Sequence, residues 1–126
     1  MKPVKEIVEK LIEELQKATG IRIKPAWISP GDRVPLITLL MHDSELRPID
    51  MSGKLVYDLR FQVDIWHQSA KARDEAFDNI LRHFEDNKNR FHESYGWFDI
   101  RFTGITDIEE EGVFRKIVML RLRVVG

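Results

Sequence analysis

No cysteine occurs in the 126 residues, which excludes disulfides, thiolate nucleophiles and every cysteine-held zinc or iron–sulfur centre. Net charge is almost absent as well. Lys and Arg number 20 against 21 Asp and Glu, a formal charge of −1, so no global positive field draws in nucleic acid or anionic lipid. Long apolar runs are missing too: in Val4-Lys5-Glu6-Ile7-Val8-Glu9-Lys10 charges interrupt each apolar pair. A secretory leader needs an unbroken apolar stretch, and a membrane span needs about 20 apolar residues. The glycines of Pro30-Gly31-Asp32 and Ser52-Gly53-Lys54 stand alone in turns, without the spacing of a phosphate-cradling loop. What remains is 43% hydrophobic and 10% aromatic, too apolar and too neutral for a disordered chain. The length fits one domain, residues 1–126, with no internal repeat and no linker.

Periodicity supplies the elements. Val4, Ile7, Val8, Leu11, Ile12 and Leu15 recur at helical spacing, with Pro3 ahead of the first turn and Gly20 just past the last. Glu6–Lys10 and Glu13–Lys17 have the acid four residues before the base, the favourable orientation. Ile21 and Ile23 then alternate with Arg22 and Lys24, predicting a short edge strand that ends near Trp27. Pro35 to Met41 is continuously apolar, which predicts a strand covered on both faces. Residues 42–53 are polar and punctuated by Pro48 and Gly53, a long excursion between strands.

The clearest strand runs from Lys54 to Trp66: Leu55, Tyr57, Leu59, Phe61, Val63 and Ile65 face one way, while Asp58, Arg60, Gln62 and Asp64 face the other. Ser69 caps a second helix through about Asn87, with Ala72, Ala76, Phe77, Ile80, Leu81 and Phe84 as its stripe. Residues 87–94 read as a polar loop. A closing hairpin sets Phe98, Ile100 and Phe102 on the apolar face against Val118, Leu120, Leu122 and Val124. Across a loop of about five residues, this pairs Asp99 with Arg121 and Trp97 with Arg123 on the outer face, an ion pair and a cation–π contact. The predicted fold is α+β: an antiparallel sheet with two amphipathic helices on one face, in the order α-β-β-β-α-β-β.

Chemistry-bearing motifs are scarce. His42, His67, His83 and His92 form no metal-ligand spacing, and no cofactor or metal is expected. His67 and Asp64 could form a dyad at the strand-to-helix junction, without an adjacent Ser or Cys nucleophile. Glu109-Glu110-Glu111 falls at a hairpin tip, where like charges stay solvated. The basic side of the last strand (Arg115, Lys116, Arg121, Arg123) is offset by nearby acids, and a stacking platform for bases would need more exposed aromatics than Trp97, so direct nucleic-acid binding is not expected. Trp66 and Trp97 both fall on the nominally polar face, with Val56, Ile117 and Met119 beside them. Core packing under a loop and a protein–protein contact both explain that placement.

The strand Phe61-Gln62-Val63-Asp64-Ile65-Trp66, passing at once into the Ser69–Phe84 helix SAKARDEAFDNILRHF and followed by a terminal hairpin, resembles the tail-completion and tail-terminator proteins of long-tailed phages. The resemblance covers nearly the whole chain in layout, through degenerate motifs. It implies a non-enzymatic structural protein that forms a ring, usually six-fold, capping the tail tube or joining it to the head connector. It also implies homo-oligomer contacts, tail-tube or connector partners, no membrane, and a place in the virion or the host cytoplasm. Residues 42–53 and 87–94 would make subunit or tube contacts, and the candidate interface comprises Trp66, Trp97, Arg121, Arg123, Asp43 and Glu45. Two other classes stay open from the residues alone: a small α+β interaction or regulatory module, and an enzyme subunit whose site around His67 and Asp64 is completed by a neighbour.

Overall fold

The computed structural model describes residues 3–42, 44–48 and 55–125, with the main chain alone at 45–48. Helix α1 (Val4–Thr19) leads into strands β1 (Ile23–Lys24), β2 (Leu36–Met41), β3 (Glu45–Pro48) and β4 (Leu55–His67). Helices α2 (Ala70–Asp86) and α3 (Lys88–Tyr95) follow, then β5 (Trp97–Glu110) and β6 (Val113–Val125). The fold is α+β. One sheet has the strand order β1-β2-β4-β6-β5, and β3 continues the β2 side of β4.

The helix boundaries follow their local chemistry. Gly20 takes the left-handed conformation after α1 (φ 69°), and its N–H bonds the Gln16 carbonyl. At α2 the Ser69 hydroxyl accepts a hydrogen bond from the Ala72 N–H, filling one of the donors a helix start leaves open. The stripe of α1 buries Ile7, Leu11 and Leu15, that of α2 buries Ala76, Phe77, Ile80 and Phe84, and α3 contributes Phe91. All of them pack on Tyr57, Leu59, Phe61, Val63 and Ile65 of β4 and on Val118, Leu120, Leu122 and Val124 of β6. The continuous apolar run of β2 is covered on both sides, with Leu36, Ile37, Thr38 and Leu39 all buried.

The structure departs from the sequence expectations at several points. The sheet is mixed, because β1 pairs β2 in parallel, Ile23 opposite Ile37, while the remaining pairings are antiparallel. Residues 25–35 form the long return that a parallel neighbour requires, and β1 is limited to two residues. The stretch 87–94, expected as loop, lies almost wholly in α3; with Phe91 as its buried residue that helix carries no apolar stripe to read. A short strand, β3, lies within the 42–53 excursion and pairs Glu45–Pro48 with Asp58–Leu55. Leu81, assigned to the α2 stripe, is exposed, and Arg73 is buried instead.

The terminal hairpin differs most. Its loop is the two-residue turn Glu111-Gly112, both at positive φ (51° and 77°), the conformation that matches strand twist in tight hairpins. A bulge between Trp97 and Asp99 sets one extra residue, Phe98, outside the ladder. Trp97 therefore opposes Val124, and Ile100 opposes Leu122, on the core face. Asp99 opposes Arg123 rather than Arg121. The bulge hides the large indole and leaves Phe98 45% exposed, which removes more apolar area from water than the reverse.

Candidate functional site

With all three helices on one side, the opposite face of the sheet is the open one, and register decides what stands on it. Residues facing each other across an antiparallel ladder share a face. Trp66 stands beside Leu36 and Arg115, Asp64 beside Thr38 and Ile117, Gln62 beside Met119, Arg60 beside Arg121, and Asp58 beside Arg123. On β5, Asp99, Arg101 and Thr103 continue these rows. Alternation along β4 thus places the expected polar residues outside, yet Asp58 and Asp64 are as buried as the core.

Each buried carboxylate carries its own guanidinium. Asp64 Oδ2 accepts from Arg115 Nε at 3.1 Å and Nη2 at 2.7 Å, and Gln62 Nε2 adds a bond at 3.1 Å to Oδ1. Gln62 in turn meets the His42 ring at 3.1 Å. Trp66 remains on this face, and its indole N–H donates to the Thr38 hydroxyl at 3.0 Å. Trp27 lies edge-on to it with centroids 5.6 Å apart. The Arg115 guanidinium sits 4.6 Å from the Trp66 ring and 4.9 Å from the Trp27 ring, a cation held between two aromatic faces. Trp66 is buried, so the aromatic surface this cluster offers to solvent is Trp27, at 43% exposure. Trp27 enters through the β1–β2 return rather than through a strand, and nothing in its local pattern marks it. Thr38 does leave a trace, as the polar residue of an otherwise apolar run.

Toward the other end of the face, Arg121 clasps Asp58 with two parallel bonds, 3.0 and 2.8 Å. Such fork-to-fork geometry fixes both side chains. Arg123 stands between Asp58 (3.8 Å) and Asp99 (3.7 Å), and Arg101 bonds Asp99 at 3.1 Å. Arg60 is exposed and has no ion pair among the described residues.

The six candidate interface residues separate accordingly. Trp66, Arg121 and Arg123 share the open face, with Trp66 at one end and the two arginines toward the other. Trp97 does not: it is 2% exposed in the core, with Phe91 and Tyr95 ring centroids 5.1 and 4.8 Å away, so its expected outer-face contact with Arg123 is not formed. Asp43 lies outside the described residues, and only the main chain of Glu45 is described, on β3. Nor do His67 and Asp64 form a dyad. Being three apart on a strand they point to opposite faces; Asp64 is engaged by Arg115, and the His67 ring accepts from the Gln68 N–H at 2.9 Å. Burial pushes the His67 pKa down. Among the described residues no group of three His, Asp or Glu is placed to share a metal ion.

Two charged clusters on the helical side escaped the periodicity. Glu14, fully buried, accepts from Arg90 (3.1 and 2.7 Å) and the Tyr95 hydroxyl (2.7 Å), and meets the His83 ring at 2.9 Å, tying α1 to α2 and α3. Burial alone would push its pKa up, but the bonds from Arg90, His83 and Tyr95 prevail and hold it at about 2. Lys116 of β6 reaches Asp107 at 2.8 Å and Asp74 at 3.2 Å, while Arg73 adds Asp107 at 3.5 Å, fastening the hairpin to the start of α2. Two acids and two bases share one half-buried cluster there, each satisfying the other.

No family model matches the chain, and no curated protein matches it. Among solved structures it is similar to a chain in the virion of a native gene transfer agent particle, with a TM-score of 0.48 and 14% identity, over 89% of this chain and 84% of that one. Among the described residues, no helix is long and apolar enough to cross a membrane.

Proposed function

We propose that this protein does structural work by contact rather than catalysis, as a phage-type tail-completion or tail-terminator protein assembling into a ring. The observation that carries the reading is the open sheet face. An idle solvent-facing sheet carries mobile polar side chains, whereas this one holds the buried Trp66, Asp64 and Asp58 in contact with the half-buried Arg115, Arg121 and Arg123. Side chains already immobilised lose little entropy when a partner arrives, which favours binding. The resemblance in strand-to-helix layout between Phe61 and Phe84 supports the same role, with a six-fold ring and tail-tube or head-connector partners. Exposed β5 at the sheet edge adds an unpaired ladder, guarded by the Gly104 bulge and by charge.

Light scattering across a concentration series, followed by electron microscopy of the assembled fraction, tests the proposal. Annular particles whose mass is a whole multiple of 14.9 kDa are expected. A strict monomer at all concentrations, alone and with tail-tube or connector components, overturns it.

A further inference from the structure

Register brings Arg60, Arg121 and Arg101 into one row across the adjacent strands β4, β6 and β5. Like charges directly opposite one another destabilise a sheet unless something compensates them. Among the described residues this compensation does not extend to Arg60. Asp58 is committed to Arg121 and shared with Arg123, and Asp99 serves Arg101 and Arg123. Arg60 is left with no carboxylate among the described residues. A depression of about 310 Å³ opens over the row, lined by the three arginines with Thr103 and Met119, so its floor can also take an aliphatic stem.

A complementary element is present in the same chain. Glu109, Glu110 and Glu111 are exposed at the tip of the β5–β6 hairpin, and none makes an ion pair among the described residues. The tip is a firm arm rather than a loose loop. Its two-residue turn is tight, and the Lys116–Asp107–Arg73 cluster ties the hairpin to α2 just behind it. The arm cannot reach its own arginine row: Val113 and Arg121 are eight positions apart on one strand, roughly 26 Å. In a single subunit its carboxylates stand in solvent, open to a cation on another molecule.

We infer that the Glu109–Glu111 tip of one copy docks into the Arg60–Arg121–Arg101 depression of the next copy. The contact joins different surfaces of the two subunits, head to tail, and such contacts close into a ring when the rotation permits. This rests on the ring reading above and names the surfaces that would make the ring. Close carboxylates fit this face better than a polyanion does. Asp58 and Asp99 already neutralise part of the row, so its attraction is short-ranged and directional.

Charge exchange in the full chain tests the pairing. Arg60 and Arg101 are exposed, so R60E/R101E leaves the core intact, as does E109K/E110K/E111K, and circular dichroism checks both. Each variant alone should need about tenfold more protein or more to assemble, because like charges then meet at the contact. Mixed in equal amounts, the acidic face of one variant meets the basic tip of the other, and assembly should return with alternating subunits. A chain carrying all five substitutions should assemble by itself. If wild-type rings form and both charge variants assemble at the wild-type concentration, the docking inference fails while the ring reading stands. If the wild type never assembles, both fall, and the ring reading falls first. Duplex DNA retained by wild type and released by R60E/R101E, with assembly unchanged, would assign the row to phosphates and overturn the inference as well.

Discussion

The buried Glu14 carboxylate offers a sharp test of how the helical layer is held. Glu14 has no exposed surface and takes bonds from Arg90, Tyr95 and His83. Its pKa falls from the ordinary 4.5 to about 2, because those bonds outweigh the burial that would raise it. At roughly 1.36 kcal/mol per pH unit, the displacement corresponds to about 3 kcal/mol of folding free energy held by the ionised form. The sign follows from linkage. A depressed carboxylate leaves the unfolded chain binding more protons, so this contribution is complete above about pH 4.5 and disappears as pH falls through 2. E14Q keeps the shape and an acceptor for Tyr95 but removes the charge. Arg90 is partly exposed and can turn to water, so the loss should stay near about 3 kcal/mol, below the upper range for a broken buried pair. Urea unfolding of wild type and E14Q from pH 7 down to pH 2 measures it. The difference between the two should be constant above pH 5 and close toward zero near pH 2. A difference that does not vary with pH, or one below about 0.5 kcal/mol at pH 7, would refute the assignment of this network as an ionic lock.

Other perturbations probe the rest of the molecule. W66A removes a buried indole, its bond to Thr38, its edge-on contact with Trp27 and its cation–π contact with Arg115, so chemical denaturation should register a loss of about 3–5 kcal/mol; W66F should retain most of the stability. Glu111 sits at φ 51°, where Asn is better tolerated, so E111N should raise stability by about 0.5–1 kcal/mol in thermal melts. G112A, at φ 77°, should cost about 1–2 kcal/mol in the same melts, although nothing crowds the site. D107N withdraws the carboxylate shared by Lys116 and Arg73. Amide exchange at the hairpin tip should accelerate several-fold, roughly 1 kcal/mol of local opening, while the strands nearer Leu122 keep their protection.

Much of the framework was legible from periodicity. The stripe on α1, the alternation along β4, the Ser69 cap and the doubly covered β2 each depend on residues within a few positions of one another, where helical and strand geometry repeat without reference to the rest of the chain. The outward placement of Trp66, Arg121 and Arg123 came from that same alternation. Trp97 was misplaced because a single extra residue, Phe98, inverts every position before it on the strand, and no composition cue marks the bulge. Helix α3 was missed because an eight-residue segment with Phe91 as its buried residue carries no stripe. The parallel pairing of β1 depends on where a long return lands, which is a property of the packed sheet.

Local order alone settles which side of each helix and strand is apolar, because side-chain direction repeats every 3.6 residues in a helix and every two in a strand. Packing of the whole chain settles which charges are hidden. A carboxylate tolerates burial only where cations converge on it, and the cations come from far away along the chain: Arg115 for Asp64, Arg121 for Asp58, Arg90 for Glu14. No local pattern encodes those meetings, and the two on Asp64 and Asp58 make the open face of this sheet an ordered surface.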